Sequence, residues 1–178
     1  MKNLKHLITV LFLSIGLFAN AQNEASFALE GGNSFLSIKQ KYDGKIKGSL
    51  FINDTFRPAK INDVIQQYPT RYNAYSDNFA VQHNVKVKYI LITKENETQG
   101  KFSGNNKLYK TFTYTDRDKT KKGFFVVLSE GKKHSFVLKE KIVFVDEQKP
   151  KTPYEKYKNP ELKRKKDVYY LKLKGSNS

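Results

Sequence analysis

The 178-residue chain has no cysteine, no tryptophan and one methionine. Without cysteine there is no disulfide framework, no thiolate metal centre, no cysteine nucleophile and no lipid-bearing cysteine. Acidic residues are in short supply, with 17 Asp+Glu against 33 Lys+Arg, for a formal net charge of +16. Beyond the N-terminus no apolar run approaches the roughly 20 residues that a membrane-spanning helix needs. The G-x-S-x-G elbow, the H-E-x-x-H zinc motif and a phosphate-cradling glycine loop are all missing. What the chain has in quantity is Phe (13), Tyr (11) and lysine. An apolar fraction of 38% is enough for one core, and the length suits one domain.

The start of the chain reads as an address. Lys2 and Lys5 precede a low-polarity run over Leu7–Phe18, and Ala19-Asn20-Ala21 supplies a small-x-small cleavage pattern. Basic flank, short apolar stretch and A-x-A together predict a signal peptide over 1–21 and a mature domain over 22–178. Two basic residues leave with the signal, so the net charge falls from +16 to +14. The expected location is periplasmic or extracellular, with no membrane anchor.

From residue 34 onward, apolar residues recur mostly at every second position in short runs bounded by turn residues, which is the strand pattern. Val85–Thr93, Tyr109–Thr115, Gly123–Leu128, Ser135–Val145 and Val168–Lys174 read as strands, the last with Tyr169, Leu171 and Leu173 facing inward. Ser34–Ile38 and Lys45–Ile52 flank a turn signal at Tyr42-Asp43-Gly44, and Lys60–Gln66 alternates weakly. Tyr68–Val81 reads as two short strands around Ser76-Asp77-Asn78, and Asp116-Arg117-Asp118 as a turn rather than a calcium loop. The expected fold is all-β: an antiparallel meander of eight or nine strands, curled into a half-barrel or barrel-like sheet.

Asp146–Asp167 breaks the pattern, with eight Lys/Arg, five Asp/Glu and three Pro in 22 residues. Pro150, Pro153 and Pro160 cannot donate to a ladder, so a basic loop is expected over 146–167. At most it should hold a turn or two of helix over Glu161–Lys166, started by Asn159-Pro160.

Three blocks carry a resemblance: Gly48-Ser49-Leu50-Phe51-Ile52-Asn53-Asp54-Thr55-Phe56, Arg71-Tyr72-Asn73-Ala74-Tyr75-Ser76-Asp77 and Gly123–Lys132. They are similar to the G-S-x-[YF]-x-[ND], R-Y-N-x-Y-x-D and F-[YF]-x-V-L-x-E-G-K blocks of an uncharacterised family of small exported β-rich proteins of Bacteroidetes-type bacteria. The resemblance implies export and a β fold, and brings no activity with it.

Candidate chemistry is thin. His83 and His134 sit in different expected hairpins, and imidazoles beside lysines can do acid–base work on a phosphodiester. The plainer reading is a pair of turn-edge histidines. Two His are too few for a three-ligand zinc site, so neither metal nor cofactor is expected. Arg71, Tyr72 and Tyr75 could present a stacking surface to a ligand, or simply cover a sheet face. Lys163, Arg164, Lys165, Lys166, Lys132 and Lys133 are candidates for polyanion binding. With 29 Lys and only four Arg, the charge suits diffuse attraction rather than bidentate recognition. The expectation is a non-enzymatic binding or interaction module of the cell envelope. Its partners would be anionic lipid, lipopolysaccharide or polysaccharide, with no sequence-specific reading of nucleic acid. The alternatives are a hydrolase or nuclease built on His83 or His134, and a structural or assembly protein. A cavity lined by Phe and Tyr favours the first, His or carboxylates converging in one cleft the second, and an exposed edge strand the third.

Overall fold

The computed structural model describes residues 37–42, 45–82, 90–94 and 97–173. The expected signal peptide, His83 and most of Val85–Thr93 lie outside these residues. Residues 37–41 are helical. The strands are β1 (Arg57–Ile61), β2 (Tyr68–Asn73), β3 (Asn78–Val81), β4 (Ile90–Ile92), β5 (Gln99–Phe102), β6 (Leu108–Asp116), β7 (Lys119–Glu130), β8 (His134–Lys139), β9 (Ile142–Val145), β10 (Glu161–Arg164) and β11 (Val168–Leu173). Nine form one antiparallel sheet in the order β11-β8-β7-β6-β5-β1-β2-β3-β4, while β9 and β10 pair apart. The all-β expectation holds.

Turn chemistry sets the long hairpin. Asp116 pairs with Lys119, leaving Arg117 and Asp118 as a two-residue loop with φ of 50° and 62°. Two positive φ values make a type I′ turn, whose twist matches that of the flanking strands.

The rings show that the sheet curls. From β7 to β3 is five strand steps, roughly 24 Å if flat at about 4.8 Å per step. Yet Phe124 of β7 and Phe79 of β3 have ring centroids 4.7 Å apart. Tyr72 of β2 meets Tyr109 of β6, also at 4.7 Å, and Phe102 of β5 lies against both Phe79 and Tyr109. The sheet rolls around these five buried rings without closing, since edge strands β11 and β4 do not pair. Burying a ring of this kind contributes about 1.5–3 kcal/mol, so the rings are the main reason for the curl. The β9/β10 pair supplies Ile142 and Leu162 to the open side of this core.

Several local expectations are corrected. Residues 37 and 38 are helical rather than extended. Lys45–Ile52 forms no strand; it makes isolated bridges, Lys47 to Glu161 and Phe51 to Asn73, and fills the seam between β10 and β2. Gly48 permits this: its φ is 88°, and a Cβ there would lie 2.3 Å from the Leu162 carbonyl oxygen. Lys60–Gln66 leaves the sheet at Ile61, where Asn62 turns at φ 52°. Ser135–Val145 is broken at Glu140-Lys141 because Glu140 turns into the core. Glu161–Arg164 is a strand, not helix or loop, because β9 offers it a ladder and Leu162 packs on both apolar clusters. Pro160 only precedes the strand, and its carbonyl accepts from Lys47 N–H at 3.1 Å.

Candidate functional site

The three candidate ligand residues do not converge on an open face. The Arg71 guanidinium lies over the rings of Phe51 and Phe56, at 3.7 and 4.4 Å. Tyr72 is in the core, its hydroxyl donating to Asp77 Oδ1 at 2.7 Å, and Tyr75 packs half-buried against the core. Burial, with the Asp77 carboxylate second, pushes the Tyr72 phenol well above its usual range.

These residues instead build a joint. The buried Asn73 side chain accepts from the N–H groups of Tyr75 and Ser76, fixing the β2–β3 turn. That turn delivers Asp77 to Phe124 N–H (3.2 Å) and to Lys139 Nζ (2.7 Å). Gly123 makes room: a Cβ there would come within 2.7 Å of both Asp77 Oδ2 and Lys139 Nζ. The three blocks of the resemblance therefore meet in space, through Phe51 against Asn73 and Asp77 against Phe124. Their shared role is architectural.

A second buried carboxylate lies beside the rings. Glu140, 2% exposed, accepts from Lys107 Nζ at 2.8 and 2.9 Å, Tyr109 Oη at 2.6 Å and Arg164 Nη2 at 2.8 Å. Arg164 also pairs with Asp167 at 3.1 Å. All four residues of the run 163–166 are exposed, but Arg164 reaches the buried Glu140, and Lys163, Lys165 and Lys166 do not.

On the core-side face, the edge of the sheet is uncovered. Register puts Tyr169, Leu171 and Leu173 opposite Leu138, Phe136 and His134. The inward facing expected for these three is corrected: they share a face with Leu138, but the core ends there, and the half-buried residues of β11 are Tyr170 and Lys172. Tyr169, Leu171 and Leu173 are 58%, 64% and 55% exposed, and Phe136 stacks on Tyr169 at 5.6 Å. A bulge after Val127 sets Leu128, also exposed, beside them. Exposed lysines stand at both ends of this row: Lys165 and Lys166 just before Val168, Lys132 and Lys133 just beyond the Leu173 end.

The opposite face of β6, β7, β8 and β11 carries an open groove of about 260 Å³, walled by Phe112, Tyr114, Tyr170 and Lys172 over Phe125 and Val137. The sequence held a signal for it. Adjacent aromatics on a strand must point to opposite faces, so Phe124-Phe125 and Tyr169-Tyr170 each put a ring on the non-core side.

His134 is exposed at the start of β8. Among the described residues no group of three His, Asp or Glu could hold a metal ion. No described helix is long and apolar enough to cross a membrane. No family model, curated protein or solved structure matches the chain.

Proposed function

We propose that this protein is an exported, non-enzymatic module of the cell envelope that docks on an anionic amphiphilic layer through the edge of the β8–β11 face. One observation carries the reading: an uncovered apolar row bracketed at both ends by exposed lysines. Tyr169, Leu171, Leu173 and Phe136 offer apolar area, and Lys132, Lys133, Lys165 and Lys166 offer charge on either side of it. Each basic residue beside an anionic surface contributes about 1 kcal/mol. The net charge of +16 disfavours a second copy as occupant and favours an anionic one.

Cosedimentation with phosphatidylglycerol-containing vesicles, against phosphatidylcholine alone, tests this. Replacing Lys132, Lys133, Lys165 and Lys166 by Gln should weaken binding by up to about three decades, at 1.4 kcal/mol per decade. Leu171→Asp should weaken it at every salt concentration. Equal binding to anionic and neutral vesicles would remove the proposal. An assembly role has one observation in its favour, the outer edge of β11, which pairs with no described strand. A mass that rises with protein concentration in light scattering would support it.

A further inference from the structure

The groove on the outer face borders the row that faces lipid in the reading above, sharing Leu171 and Leu173 of β11 with it, but its chemistry differs. Phe125 is its floor, with Phe112, Tyr114 and Tyr170 edge-on around it at centroid distances of 5.9, 5.0 and 5.3 Å. Tyr114 and Tyr170 meet across it at 5.9 Å. Both rings are half-buried, and burial raises both phenols above their usual range. Most other described tyrosines use their hydroxyls internally: Tyr42 donates to Asp146, Tyr68 to Gln66, Tyr72 to Asp77, Tyr109 to Glu140 and Tyr157 to Glu147. Tyr114 and Tyr170 have no such partner among the described residues, so the groove has two hydroxyls available to a ligand.

The groove also has a cation. Lys172 Nζ lies 4.8 Å from the centre of the Phe112 ring, and among the described residues no carboxylate is within ion-pair distance of it. Lys139, by contrast, is sunk beside the floor and held by Asp77 and the Phe124 carbonyl. A second depression of about 530 Å³ adjoins the first and shares Phe112 and Lys172 with it; Asp63 and Glu97 also line it, so it leaves room for an uncharged extension of the ligand.

Rings that offer apolar edges, phenol hydroxyls that can donate and accept, and one uncommitted ammonium describe a ligand with a C–H surface, a hydroxyl rim and one negative charge. An acyl chain satisfies the rings but leaves both hydroxyls unused, and an open groove does not shield it from water. We infer that the groove binds an acidic sugar, a pyranose ring bearing a carboxylate or a phosphate, with Lys172 taking the acid group and Tyr114 and Tyr170 the ring hydroxyls. This inference does not rest on the membrane reading, and its test uses no vesicles.

The test is an amide-shift NMR titration of the folded protein with glucuronic acid, glucose 6-phosphate, glucose and octanoate in the millimolar range. Shifts should centre on Phe112–Tyr114 and Tyr170–Lys172, with both acidic sugars binding at least about fivefold more tightly than glucose, the worth of one hydrogen bond. The two acids against each other tell carboxylate from phosphate. Lys172→Gln should bring the affinity for both acids down to that for glucose. Tyr170→Phe, which keeps the ring and hence the packing, should weaken every sugar about fivefold at unchanged melting temperature. Octanoate outcompeting the sugars, glucose matching the acids, or an absence of shifts in β6 and β11 would each overturn the inference.

Discussion

Arg164 belongs by composition to a run of four cations, yet its position is unlike theirs. Its guanidinium reaches Glu140, a carboxylate with only 2% of its surface exposed, while Lys163, Lys165 and Lys166 project into solvent. A buried carboxylate that loses a donor keeps its desolvation cost, and removing one partner of such a pair costs about 3–5 kcal/mol. Here Lys107 and Tyr109 remain, and Arg164 is itself half-exposed, so Arg164→Gln should cost about 2 kcal/mol. Lys163→Gln and Lys165→Gln should each stay within about 0.5 kcal/mol of wild type. Urea unfolding of the three variants measures this, and equal stability would mean that Glu140 does not depend on Arg164. The sequence shows four adjacent charges but not which one meets a carboxylate 24 positions upstream. The left-handed pair Arg117-Asp118 offers a separate check. Asn-Gly is the favoured pair in such a turn, so the double change Arg117→Asn, Asp118→Gly should stabilise by about 1 kcal/mol in the same assay.

At the level of elements, alternation made β2, β3, β6, β7, β8 and β11 legible, because each repeats every second residue along one face of the sheet, a face that meets the five rings in all of them but β11. Elements whose partners are distant in sequence were not legible. The strand β10 exists because β9 and Leu162 hold it, and its own composition reads as loop. The break between β8 and β9 follows from where Glu140 finds its donors, which no local pattern records. The exposed row on β11 was hidden for a related reason. Period two gives a face, and only the end of the core at Leu138 decides whether that face is covered. The part of 146–167 that stays outside any strand contains Pro150 and Pro153 and is almost wholly exposed from Gln148 to Asn159. Trypsin should therefore cut first at Lys151, Lys156 or Lys158, and only later at Lys163, which the β9 ladder protects. Mass analysis of early digests reads this directly, and early cuts at Lys163 would mean that β10 is not held.

Across the whole molecule, the curl is fastened by a polar spine set within the rings. Tyr72 donates to Asp77 and Tyr109 donates to Glu140, with the two phenol rings in contact, so β2 and β6, three strand steps apart in the sheet, are joined through one buried cluster. Ionising either phenol would place a phenolate beside a carboxylate away from water. Burial first, and the carboxylate second, therefore hold both groups protonated above their ordinary value of 10.0. In the unfolded chain the same tyrosines lose their protons near that value, so above it the unfolded state binds fewer protons than the folded one. Stability from these two groups is complete below about pH 10 and is lost as pH rises beyond it, by about 1.4 kcal/mol per pH unit for each tyrosine. Lys139 acts in the opposite sense. Burial holds its folded value below 10.5, so its contribution rises with pH until that point, but it is one group against two. Melting temperature measured from about pH 9 to about pH 12 should thus fall steeply past pH 10, with a slope of at least roughly two protons, because the raised phenols of Tyr114 and Tyr170 act in the same sense. Tyr72→Phe should be less stable at neutral pH, having lost the bond to Asp77, and should fall with about one proton fewer. A wild-type curve that stays flat beyond pH 10 would mean that these two phenols reach water, and that the sheet does not roll around them.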